Sequence, residues 1–214
     1  MADYFLVHDR TILEQRLRPA LAAAWRQRSF RPCLDVCRDW SAAARDYVGR
    51  YNVQPDGILL LRVEQGLRFD RALWRTLAGE LLLFAACEVP EIPRHVDSLL
   101  RLLAPSSPEE IPRQRRPAIH QALYGSRDLM IGPALYRPEH AGYNDANDVQ
   151  RLAGFLASVR VEDWTTEHPA LVELVDREDR EFEVSFAREW LAVLAGLYRR
   201  SAEAGRVIVL ENLG

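Results

Sequence analysis

Residues 206–213, RVIVLENL, follow a helix-ending Gly205, and their reading decides the fold. The apolar, β-branched run reads as a short final strand. A lone strand leaves its backbone N–H and C=O groups without partners, so this one must pair. The matching run is at the other end of the chain, where residues 3–8, DYFLVH, have the same short aromatic and branched character. Pairing residues 4–7 with 206–210 makes the chain α+β: mostly helical, with a small sheet that includes the N- and C-terminal strands.

Inward from these ends the pattern is helical. Before the last strand, Phe182, Phe186, Trp190, Val193, Leu194 and Leu197 share one face of a long helix. After the first strand, Asp9 or Thr11 caps a helix carrying Leu13, Leu17, Leu21 and Trp25, which Arg18-Pro19 kinks or divides. Pro32 suits the first turn of a further helix whose inner face holds Val36, Cys37, Trp40, Ala44, Tyr47 and Tyr51. After a turn at 52–57, ILLLRVEQG at 58–66 reads equally as buried strand or helix. Asp70 caps a helix with Leu73, Trp74, Leu77, Leu81 and Phe84, and a shorter helix, RHVDSLLRLLA, follows EVPEIP. The Pro-rich, charged segment 104–118 reads as an exposed connection or insertion within a single domain spanning 1–214. A short helix at 118–124 leads into an irregular stretch up to 144, and Val149, Leu152, Ala153 and Leu156 mark a helix at 146–158.

Composition excludes several chemistries. All 28 basic residues are Arg, so Schiff-base and Ser–Lys mechanisms lack their amine and a Walker A loop lacks its lysine. A net charge of −3 argues against a dedicated nucleic-acid binder. The opening MADYFLVHDR has no basic leader or long apolar run, and LLLFAAC at 81–87 is too short to span a bilayer. The expectation is a cytoplasmic, reduced protein with no membrane partner. Cys33 and Cys37 lie one helical turn apart without a second ligand pair, and Cys87 sits in an apolar run, so all three are expected in the core.

The five histidines form no HxH, HxxxH or HExxH pattern, and no GxSxG elbow or GxGxxG loop occurs. One Arg115–His120 spacing, with Pro117 between, carries no weight in so Arg-rich a chain. RQRR at 113–116 and DREDREFE at 176–183 read as solvated charge. No metal site and no cofactor is expected. What remains is the polar loop 136–148, YRPEHAGYNDAND. Asp145 reads as the N-cap of the 146–158 helix, with Asp148 placed to reach back to it. Glu139, His140 and Tyr143 are not needed by a cap, and with Asp145 they form the candidate ligand-binding set.

Two stretches carry a family resemblance. DYFLVHDRTILEQRL at the start, with IGPALYRPEHAGYNDANDVQRLAGFLASVRVEDW and WLAVLAGLYRRSAEAGRVIVLENL at the end, resembles the YfbM-like family of small bacterial proteins. The resemblance spans about the first fifteen and the last eighty residues, and rests on caps, turns and packing positions. It implies an α+β fold built on the terminal strands, and no activity, the family being functionally uncharacterised. The expectation is therefore a bacterial binding or regulatory protein that is not an enzyme, acting on another protein as immunity proteins do. The alternative is a small enzyme or ligand-binding protein using 136–148.

Overall fold

The computed structural model describes residues 2–90, 97–103, 112–132, 134–136 and 141–213. In chain order the elements begin with β1 (Ala2–His8), a π-helical turn (Ile12–Leu17), α1 (Arg18–Gln27), α2 (Leu34–Tyr51), α3 (Leu59–Glu64) and α4 (Arg71–Ala85). They continue with α5 (Asp97–Leu103), α6 (Ala118–Tyr124), β2 (Arg127–Asp128), β3 (Met130–Ile131), β4 (Ala134–Leu135) and β5 (Ala141–Asn144). The last four are α7 (Ala146–Ser158), α8 (Pro169–Leu174), α9 (Arg180–Glu203) and β6 (Val207–Leu213). Two compact units result: Met1–Phe5, Pro90–Asp128 and Glu139–Gly214 make the first, Leu6–Val89 and Leu129–Pro138 the second.

The α+β sheet has the order β1-β6-β5-β2; β2, β5, β6 and β1 up to Phe5 belong to the first unit. β1 and β6 are neighbours, as the two terminal runs require. β5 lies antiparallel to β6, with Tyr143 opposite Val209, and antiparallel to β2, with Arg127 opposite Tyr143. These inner strands come from the stretch read as irregular, because runs of two and four residues are too short to display a period. α7 packs along α9; Val149, Leu152 and Leu156 are buried on the first helix, and Ala187, Trp190, Leu191 and Leu194 on the second. α9 stops where expected: Gly205 takes φ +61, and the Arg206 N–H reaches the Ser201 carbonyl at 2.8 Å. Its apolar face is rotated from the one expected, since Phe182 and Val193 are exposed. Residues 104–111 of the expected connection lie outside the described residues, and Pro112, Gln114, Arg115 and Pro117 beyond them are exposed.

In the second unit, Asp9 Oδ1 accepts the N–H groups of Thr11 at 2.9 Å and Ile12 at 3.3 Å, starting the first helical run. Pro19 has no N–H to give, and the preceding turn is widened to a π-turn instead of being broken. Leu13, Leu17 and Leu21 are fully buried, and the Trp74 indole donates to the Leu21 carbonyl at 3.0 Å. The ambiguous run at 58–66 is helical for a reason outside it. Glu80, on α4, accepts the Leu59 and Leu60 N–H groups at 2.9 and 2.8 Å and serves as the N-terminal cap that α3 lacks locally. Burial raises the Glu80 carboxyl's pKa, and these two bonds act against that shift. Tyr51, expected inside, is exposed at the end of α2.

Cysteine follows the expectation in two cases of three. Cys33 and Cys37 are buried, and burial pushes both thiols up to about 12. Cys87 is exposed instead, because α4 ends before it and its backbone bridges to β1, with Cys87 N–H to the Val7 carbonyl at 2.9 Å. Native protein should therefore label rapidly at one thiol, and the other two should react only on unfolding; a thiol titration with and without denaturant checks this.

His8 ends β1 fully buried, and neither ring nitrogen has a hydrogen-bond partner. Burial lowers its pKa from 6.5 to about 4. The folded value lies below the unfolded one, so between them the unfolded chain binds the proton and the folded chain does not. Stability should be full above pH 6.5 and fall as pH drops towards 4. His8→Leu should flatten that limb, as read by urea unfolding across the window.

Candidate functional site

From 141 to 148 the loop that drew attention in the sequence is β5 and its crossing into α7. Glu139 and His140 lie outside the described residues, while Tyr143 and Asp145 are both placed. β5 is buried along its length and passes so close to the end of α6 that a side chain at Gly142 would overlap the Tyr124 carbonyl. Arg113 also reaches this carbonyl, and its Nε pairs with Asp128 at 2.9 Å. Glycine is therefore required at 142 by backbone approach rather than by a turn.

Asn144, fully buried at the end of β5, has its amide in use on both sides. Its Nδ2 donates to the Gln121 carbonyl at 3.0 Å and to the Tyr198 hydroxyl at 2.8 Å, and its Oδ1 accepts the Ser126 N–H at 2.7 Å. The Tyr198 hydroxyl itself donates to the Ala122 carbonyl at 2.6 Å. Burial raises the pKa of this phenol, which stays protonated as a donor. The last carbonyls of α6 thus receive donors from β5 and α9.

Asp145 is the cap the sequence indicates: its Oδ1 accepts the Asp148 N–H at 2.9 Å. Its other oxygen meets Arg127 Nη2 at 3.0 Å. Asp148 does not reach back to the cap. Its carboxylate takes Arg127 Nε at 2.7 Å on one oxygen and Arg151 Nη2 at 3.3 Å on the other. Arg151 also donates to the Gln121 side-chain oxygen. Burial alone would raise the Asp148 pKa, but bonds from Arg127, Ser126 and Arg151 outweigh it and hold the carboxyl below its usual range.

Arg127 is the centre of this arrangement. Its guanidinium forks between the two carboxylates, and its strand position is opposite Tyr143. Tyr143 and Asp145 are thus brought to one place by a residue that carried no signal in the sequence beyond its presence in YGSRD. One oxygen of Asp145 takes a helix N–H and the other Arg127, and each oxygen of Asp148 meets an arginine, so these carboxylates serve a cap and an ion-pair network. No group of three or more His, Cys, Asp or Glu able to hold a metal occurs among the described residues. In the second unit a half-open hollow of about 640 Å³ is lined by Arg45, Asp56, Arg62 and Glu64, of which Arg45 and Glu64 pair at 3.0 Å.

Comparison of the chain with family models, with curated proteins and with solved structures gives no match.

If Asp145 acts only as a cap, Asp145→Ala should cost about 1 kcal/mol, and Asp145→Asn less, because an amide oxygen still accepts from the helix. Asn144→Ala should cost more, since it leaves the buried Ser126 N–H without its acceptor and removes a donor from both the Gln121 carbonyl and the Tyr198 hydroxyl. Urea unfolding of the three variants tests this order.

Proposed function

We propose that this chain is a cytoplasmic binding or regulatory protein, not an enzyme, acting through its surface on another protein as an immunity protein does. The observation that supports this reading is the engagement of Asp145 and Asp148 by Arg127 and Arg151, which gives the described end of the polar loop the role of a helix cap and ion-pair network. No described helix is long and apolar enough to cross a membrane, in keeping with a partner in solution. The resemblance of both chain ends to the YfbM-like family belongs to the same proposal and brings no activity with it. Nucleic acid is not the proposed partner, because the chain carries a net charge of −3.

A second reading keeps the loop 136–148 as a ligand site of a small enzyme or binding protein. It is favoured by Arg127, whose side chain stays 45% exposed with Tyr143 opposite on the next strand, so a cation and a phenol share one locality. A thermal-shift screen with divalent metals, nucleotides and metabolites separates the two. A specific ligand at a hundred times its Kd adds about 2.7 kcal/mol of stability, well within detection. The first reading expects no shift that disappears in Tyr143→Phe or Asp145→Asn. A shift lost in either variant establishes the second.

A further inference from the structure

α9 carries more apolar surface than its own unit covers. Its inner face is buried, yet on the outer face Phe182 is 66% exposed and Val193 43%. The rings of Phe182 and Phe186 stack, with centroids 5.7 Å apart and planes inclined by 14°. Phe186 in turn meets Trp190 edge-on at 5.9 Å. Phe182, Phe186, Glu189 and Val193 stand at i, i+4, i+7 and i+11, so they line one stripe of the helix. This is the spacing along which a second helix packs. A single exposed apolar residue needs no explanation, but an ordered aromatic pair anchored on a core Trp does.

The charge around the stripe is one-sided. Between 173 and 189 there are seven acidic residues against three arginines. Two of those arginines turn back to the chain: Arg180 donates to the Val172 and Val175 carbonyls at 3.1 and 3.0 Å, and Arg188 to the Trp164 carbonyl at 2.6 Å. Asp176, Glu178, Asp179, Glu181 and Glu189 are exposed, and none is in an ion pair among the described residues. Acids in a first helical turn offset the positive helix end, which accounts for Glu181 and Glu183. It does not account for Asp176 and Glu178, which precede the helix, or for Glu189, two turns inside it.

We propose that the outer face of α9 from Phe182 to Val193 is a docking surface for a basic amphipathic helix of a partner protein. This rests on the binding-protein reading and specifies the partner's chemistry. The partner's apolar residues cover Phe182, Phe186 and Val193, while its arginines or lysines meet the acidic rim. A guanidinium is also suited to stacking on the exposed Phe182 ring. Charge selects this occupant, because an acidic helix would meet like charge along the rim, and a second copy of this chain carries the same acid excess.

The test is calorimetric titration of the whole protein with two synthetic helical peptides. Both carry the same Leu stripe; one has Arg and the other Glu at the flanking positions. The Arg peptide should bind, and more weakly as salt is raised. Phe182→Ser should lower that affinity about tenfold or more. The pair Glu178→Gln with Glu189→Gln should lower both the affinity and its salt dependence. All three positions are exposed, so these variants should melt with the parent protein. No binding of the Arg peptide, equal binding of both peptides, or affinity unchanged in Phe182→Ser overturns the proposal. So does a dimer, seen by sedimentation, that Phe182→Ser dissociates, since the stripe then belongs to a second copy. Failure here with no ligand found at 141–148 rejects this surface and leaves the binding-protein reading standing. A ligand lost in Tyr143→Phe removes that reading whatever the peptides do.

Discussion

The buried amide of Asn144 ties together three regions far apart in the chain: the end of β5, the close of α6 with the turn at Ser126 just beyond it, and α9 through Tyr198. A polar side chain placed there without partners would cost several kcal/mol, so the arrangement works only when all of its bonds form together. That requirement fixes the depth of β5 between β6 and β2. It also positions α7, because the residue after Asn144 is the helix's own cap. The sheet and the helices of the first unit are therefore held in register by hydrogen bonds as much as by the apolar contacts of α7 on α9.

The ion pairs at the start of α7 extend the same logic outward. Arg127 meets two carboxylates from two different nitrogens, a geometry that a lysine, with its single ammonium, would not reproduce. In a chain whose basic residues are all Arg, this planar fork is the available means of tying a strand to a helix N-terminus. The consequence for function is direct. Asp145 and Asp148 are engaged by Arg127 and Arg151, whereas the acids exposed near the outer face of α9 have no ion pair among the described residues and stand beside exposed Phe182 and Val193. That combination is why a partner is proposed for the helix face.

The candidate site was legible only in part. Asp145 could be read as a cap because capping is local: donor and acceptor lie three residues apart. Arg127, Gln121, Arg151 and Tyr198, which complete its surroundings, could not be. They lie on other elements, and a guanidinium marks no partner until the fold supplies one. The same holds for α3. Its sequence is neutral between strand and helix, and the deciding carboxylate is Glu80, twenty-one positions from the N–H of Leu59.

The sequence by itself determined the α+β class, the pairing of the terminal strands, the long helices and their stops, and the burial of Cys33 and Cys37. Each of these follows from a period, a cap or a short apolar run within a few turns of chain. The tertiary structure decided the inner strands β2 and β5, the conformation of 58–66, the exposure of Cys87, and which face of α9 is left uncovered. These depend on groups that meet only after the chain has closed. Phe182 and Trp190 belong to the same apolar pattern in sequence, yet the Trp is buried and the Phe exposed. Periodicity sets which residues share a side of a helix, but the neighbour that packs there sets how far round that side the burial extends.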